Sequence, residues 1–253
     1  MAKRDEIIAF CDELLDIGSF TDYGPNGLQV PGNEDVALVA SAVSAHQESI
    51  DAAVAMDADL LITHHGLFWD FHPRALTPPM ANRLKAALGA GLSVAGYHLP
   101  LDAHPGIGNN ALLCRSLGFE PGPEAIGEAK GQHIGIVGHR SEPISAPDLF
   151  ELVEEQLGRV PLVFADGPDR ISSIGIVTGA GASDIHEATA LGLDAFLTGE
   201  PSEHVMADSR EGGIHFISAG HYATEIAGIN RLGELIAEQF SVRHAFIDAP
   251  NPI

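Results

Sequence analysis

The sequence predicts an α/β fold, and three features point to it. Strand-sized apolar runs alternate with helical patterns, glycines and prolines punctuate them where turns belong, and a helix-strand unit of the first half recurs in the second. Residues 4 to 17, R-D-E-I-I-A-F-C-D-E-L-L-D-I, set Ile7, Ile8, Phe10, Leu14 and Leu15 at helical spacing and predict an amphipathic opening helix. A loop, D-Y-G-P-N-G-L-Q-V-P-G, follows. V-A-L-V-A-S-A-V then reads as a buried strand, Q-E-S-I-D-A-A-V-A-M as a helix, and D-L-L-I-T as a second strand that runs into His64 and His65. P-P-M-A-N-R-L-K-A-A-L-G is a helix stopped by glycine, L-S-V-A-G-Y-H is a third strand, and G-I-G-N-N-A-L-L-C-R-S-L-G opens another helix, with Asn109 and Asn110 read as its caps. Residues 119 to 131 concentrate Pro, Gly and charge and mark a boundary. Beyond it come strand H-I-G-I-V-G, helix A-P-D-L-F-E-L-V-E-E-Q-L-G and strand P-L-V-F-A. The expected domains are residues 1–125 with 218–253, and residues 126–217.

Composition narrows the function. The 253 residues are 45% hydrophobic, enough for a substantial core, yet no apolar run nears a bilayer span and M-A-K-R-D-E-I-I lacks the apolar core of a signal peptide. A soluble, cytoplasmic chain without a membrane partner is expected. Cys11 and Cys114 are too few for a disulfide framework or a thiolate zinc site and read as small buried residues, so any metal must rest on His and carboxylates. The formal charge of −22, with only three lysines, is poor material for gripping phosphate backbones, and nucleic acid is discounted as a partner. The acid excess suits either a salty medium or plain solubility.

The repeat carries the chemistry. When Ile50 is laid on Ile185, Asp59 falls on Asp194 and Thr63 on Thr198, so the strand ending in His64 and His65 has a counterpart ending in Gly199 and Glu200. The next strands match at a different offset. One ends in His98 and Asp102, the other in His221 and Glu225, each a His-x-x-x-acid. Strand C-termini of an open α/β sheet converge on a rim where ligands bind, and imidazole with carboxylate binds divalent cations without thiolate. Adjacent side chains alternate faces along a regular strand, but at a strand end His64 and His65 can serve two ions. His64, His65, His98, Asp102, His221 and Glu225 are more ligands than one tetrahedral ion needs and suit a carboxylate-bridged pair. Glu200 and His204 have i and i+4 spacing if their segment is helical and are candidate proton shuttles. His104 is a candidate for orienting a ligand. The loop T-G-A-G-A-S-D, residues 178 to 184, reads as a tight turn capped by Ser183 or Asp184, with an anion nest as the alternative.

These residues resemble the Nif-three-like dinuclear-metal proteins, some of which carry the designation type 2 GTP cyclohydrolase I. The resemblance runs along nearly the whole chain through N-G-L-Q-V at 26 to 30, D-L-L-I-T-H-H-G-L-F-W at 59 to 69, Y-H-L-P-L-D at 97 to 102, T-G-A-G-A-S at 178 to 183, D-A-F-L-T-G-E at 194 to 200 and G-H-Y-A-T-E at 220 to 225. It implies a two-domain α/β subunit, a metal site at the domain interface, two divalent ions per subunit (Zn, Fe, Mn or Ni) and a toroidal homohexamer. It also implies His64, His65, Asp102, His221 and Glu225 as ligands, Glu225 bridging, with His98 a ligand or a support. Residues 44 to 46, S-A-H, depart from the acidic residue expected after the first strand. The implied activity is metal-dependent hydrolysis in which activated water attacks a purine nucleotide such as GTP. The alternative is a metal-delivery or interaction protein without turnover.

Overall fold

A computed structural model of the protein describes residues 1–253. The chain forms two compact units, Met1–Leu101 with Gly228–Ala249, and Asp102–Ala227 with Pro250–Ile253. The divisions fall at 101/102 and 227/228, where the sequence suggested 125/126 and 217/218. The reason for the first is local: helix Asn109–Ser116 inserts Leu113 and Cys114 into the same core as Ile174, Ile176 and Leu197.

The first unit is built on a five-stranded sheet ordered Arg243–Phe246, Leu38–Ser44, Leu60–His65, Ser93–Gly96 and Gly27–Val30. The first four strands run parallel and the last is antiparallel. Leu38–Ser44 is apolar on both faces and buried along nearly its whole length, as a central parallel strand covered on both sides must be. Gly27–Val30 lies inside the segment read as a loop. Its glycine and flanking prolines hide an edge strand, because an edge needs hydrogen bonds on one side only. The core joins Val30, Leu38, Ile50, Leu61, Leu67, Leu92 and Val94. Asp59, just before the middle strand, accepts through its carboxylate from the amides of Ala37 and Leu38 at 2.8 and 3.0 Å, and its carbonyl accepts from Ser93 N at 3.0 Å. One residue thus aligns the starts of three neighbouring strands.

The second unit holds a six-stranded sheet ordered Leu162–Ala165, His215–Ser218, Ala195–Thr198, Arg170–Val177, Ile136–Ser145 and Glu120–Pro121. The strands Arg170–Val177, Ala195–Thr198 and His215–Ser218 are mutually parallel, and antiparallel strands flank them. Asp194 occupies the place that Asp59 holds in the first unit. Its carboxylate accepts from Ser172 N and Ser173 N at 2.8 and 2.9 Å, and its carbonyl from His215 N at 3.1 Å. At the other end of the middle strand, Thr63 O accepts from Tyr97 N and Thr198 O from Ala219 N, both at 2.9 Å. His98 follows Tyr97 directly, whereas His221 stands two residues after Ala219. The extra residue is Gly220, whose φ of +96° favours a side chain without Cβ. No helix is long and apolar enough to cross a membrane. Cys11 and Cys114 are buried free thiols, and burial pushes the Cys11 thiol up to about 12.

Candidate metal centre

In the first unit the strand Leu60–His65 ends in its two histidines, and His98 stands beyond the neighbouring strand Ser93–Gly96. The three rings gather, with centroids 4.7 Å apart for His64 and His65, 5.0 Å for His64 and His98, and 5.6 Å for His65 and His98. Potential ligand atoms of all three lie within 4.8 Å of one another. Each ring has its Nδ1 engaged. His64 Nδ1 is 3.0 Å from Tyr97 O, an acceptor only, so this nitrogen carries the proton and the Nε2 lone pair is set for coordination. His98 Nδ1 is 2.7 Å from Asp22 Oδ1. Burial raises the Asp22 pKa, but the hydrogen bond and charge of His98, with help from Asn26 and the Tyr23 amide, outweigh it and hold the carboxyl below its ordinary range. Asp22 is therefore an anionic acceptor that fixes the His98 tautomer. Asn26 and Leu99 N also donate to it, each at 2.9 Å, while Asn26 Oδ1 accepts from His98 N at 2.8 Å. His65 Nδ1 pairs with Ser44 Oγ at 3.0 Å, which gives the departing S-A-H loop a part in the cluster. Trp69 stands edge-on to His98 at 5.1 Å.

In the second unit His221 opens the short helix His221–Thr224, and Glu225 follows it, so the two side chains meet one turn apart with His221 Nε2 3.2 Å from Glu225 Oε2. His221 Nδ1 hydrogen-bonds Glu200. Burial pulls the His221 pKa down, but Glu225 and then Glu200 overcome it and hold the imidazole at about 9. Glu225 is nearly fully buried beside Gly179, whose φ is +70°. A Cβ at Gly179 would strike the Glu225 carboxylate and stand 3.2 Å from His221 Nε2, so the glycine is what gives these two groups room. Asp102, also buried, accepts from Asn109 Nδ2 at 2.8 Å and Thr178 Oγ1 at 3.4 Å. Neither Asn109 nor Asn110 caps its helix. Asn110 instead donates to Asp102 O and Ile134 O and accepts from Thr178 N.

Other sequence candidates sit elsewhere. Residues 200 to 204 are not helical, because Glu200 precedes Pro201 and the proline ring disfavours the α conformation before it. Glu200 joins His221, whereas His204 pairs with Asp208 at 2.6 Å in a separate group that includes His186, 3.5 Å from the same carboxylate. His104 Nδ1 accepts from the amides of Gly106 and Ile107 at 3.0 and 3.1 Å and holds a turn. In the loop 178–184 the amides of Thr178, Gly179 and Gly181 are given to Asn110, Thr224 and Thr198, so they brace the loop instead of forming a nest, and Asp184 stands at the N-cap position of helix Ile185–Ala190 without a side-chain capping bond. Asp22, Ser44, Asn109 and Thr224 are the supporting residues that sequence reasoning missed. Their only sequence signal is that they stand in or beside the loops that carry the ligand candidates.

The donor chemistry fits a divalent cation. Three imidazoles in one unit, a fourth with two carboxylates in the other, and no thiolate suit Zn, Fe or Mn. The family model for Duf34/NIF3 (NGG1p interacting factor 3) matches residues 2–252. The chain belongs to the Duf34/NIF3 family. Among curated relatives, the GTP cyclohydrolase 1 type 2 homolog of Pseudomonas aeruginosa is 42% identical over 247 residues, covering 97% of each chain. The protein of the same name from Escherichia coli K12 is 40% identical over 251 residues, covering 99% of each. Among solved NIF3-like structures, one described as protein ybgI of unknown function superposes with a TM-score of 0.93 at 39% identity, over 99% of this chain and 100% of that one. TTHA1606 from Thermus thermophilus gives 0.85 at 31% identity, again over 99% and 100%.

Proposed function

We propose that this NIF3-family chain is a dinuclear metal-dependent hydrolase of the GTP cyclohydrolase 1 type 2 kind, acting on a purine nucleotide. The observation that carries the reading is the fixed Nδ1 of His64, His65 and His98, held by Tyr97 O, Ser44 and Asp22, because second partners of this kind orient histidines that ligate metal. In this reading His64, His65, His98, Asp102, His221 and Glu225 would hold two divalent cations. Divalent cations so held acidify water and polarise an attacked ring. The chain's own groups do the rest. Asn109 and Thr178 fix the Asp102 carboxylate, Gly179 keeps space beside Glu225, and Glu200, bonded to His221 Nδ1, is placed to hold or move a proton. His204, committed to Asp208, is a weaker candidate for that task.

The same reading treats the two units as copies of one α/β motif. It is supported by the shared order of three parallel strands with an antiparallel neighbour beside the third, and by the common task of Asp59 and Asp194.

The test is formate release from GTP by metal-reconstituted protein, with metals counted per chain. Turnover in the wild type that is abolished in Glu225→Ala, together with a lower metal count, is the expected result. Two bound metals with no turnover of GTP or any other purine nucleotide would replace the hydrolase by a metal carrier.

A further inference from the structure

The loop that leaves the His64–His65 tip, together with the start of helix Pro78–Ala90, borders an open cavity of about 520 Å³. Trp69, His72, Arg74, Leu76, Met80 and Arg83 line it, and Asp70 is its one acid. In a chain of net charge −22 such a wall is an exception. Arg4, Arg115, Arg140, Arg159, Arg170, Arg210 and Arg231 all find a carbonyl or carboxylate within the chain. Arg74 and Arg83 do not, and of the ten arginines only Arg243, far along the sequence, shares that state, although acids outnumber bases almost three to one. Arg83 is partly buried, and its Nε is shielded from water with no hydrogen-bond partner. A guanidinium N–H left so costs free energy unless an acceptor arrives from outside, and the planar fork of Arg is matched to phosphate.

The other wall is aromatic. Trp69 is the chain's single tryptophan, and its ring lies stacked with Phe71 at 5.6 Å and edge-on to His98 at 5.1 Å. The indole is thus shared between the cavity and the three-histidine cluster. The volume falls in the range of small-molecule sites, which are mostly apolar with a few polar groups that fix orientation.

We infer that this cavity binds a phosphorylated planar heterocycle of the nucleotide class, its anionic group on Arg74 and Arg83 and its ring against Trp69, toward His98. The inference deepens the proposed hydrolase and rests on that reading for which end of the ligand reacts. Binding itself does not depend on turnover.

Trp69 fluorescence in the full-length, metal-loaded protein reads the binding, with GTP, guanosine and inorganic triphosphate as probes. GTP should change the emission saturably, guanosine and triphosphate should each bind at least about tenfold more weakly, and Arg74→Ala and Arg83→Leu should each weaken GTP by about tenfold or more while leaving metal content unchanged. Arg74 is exposed, so its variant keeps the test valid if Arg83→Leu fails to fold. Equal affinity for GTP and guanosine, equal affinity for GTP and triphosphate, or wild-type GTP binding by Arg74→Ala would overturn the inference. Arginine-dependent GTP binding without turnover would reject the hydrolase and keep the cavity. Turnover with an unchanged KM in both variants would keep the hydrolase and reject the cavity.

Discussion

Asp22 shows how much of a metal site lies outside its ligands. It accepts from His98 Nδ1, Asn26 and Leu99 N, and its ionised state makes His98 present Nε2. Asp22→Asn keeps the shape but removes the charge and permits the other tautomer. We expect metal affinity to fall by roughly tenfold to a hundredfold, with secondary structure intact, as measured by competition with a chromogenic chelator. Unchanged affinity would mean that His98 takes no part in binding. The histidines themselves were legible, because two adjacent imidazoles at the tip of an apolar strand have a cost that only a task explains. Asp22, Ser44 and Asn109 were not, since Asp22 reaches His98 from a loop far back in the chain, Ser44 meets His65 only through strand register, and Asn109 meets Asp102 only through the turn before its helix, and none of these leaves a periodic trace. The spacing of Glu200 and His204 misled for a local reason: Pro201 breaks the helix on which i and i+4 depends.

At the scale of elements, Asp194 makes the clearest demand. Its carboxylate takes both the amide and the hydroxyl of Ser172 and of Ser173. Burial raises its pKa, but these hydrogen bonds outweigh that and leave it lowered from 3.8. A carboxyl with a depressed folded pKa stabilises fully above its unfolded value, and the benefit is lost as pH falls through the folded value. Asp194→Ala should therefore cost about 2 kcal/mol in urea unfolding at pH 7, and the gap from wild type should shrink only below about pH 3.8. A gap that stays constant down to pH 2.5 would show that the charge has no role. The correspondence of Asp194 with Asp59 was readable from identical residues in register. The one-residue slip at Gly220 was not, because both His-x-x-x-acid patterns look alike whichever turn precedes them. Helix Ile226–Phe240 and strand Arg243–Phe246 lie past the paired motifs; residues 218–253 were expected to join the first domain, but only the fold shows that Arg243–Phe246 adds an edge strand beside Leu38–Ser44.

The whole molecule carries a strong negative charge and exposes Phe71, Leu88 and Val160, apolar side chains that self-association can cover. The homohexamer expected from the family resemblance should give, by light scattering at moderate salt, about six times the 26.6 kDa chain mass, since low salt would leave the like charges unscreened. A monomeric mass there rejects it. The arrangement of the first unit also bears on how the protein is made. Its strand Leu38–Ser44 pairs with Arg243–Phe246, while Asp102–Ala227 of the second unit lies wholly between them in sequence. A ribosome therefore delivers nearly all of the second unit while the first still lacks its edge strand. Domains fold as units during synthesis, so the nascent chain must carry an unfinished parallel sheet, with Leu38–Ser44 unpaired on one side, until Arg243–Phe246 emerges. The first sheet is thus begun before the second unit is made and closed only after nearly all of it, and until then the unpaired edge of Leu38–Ser44 is open to wrong pairing.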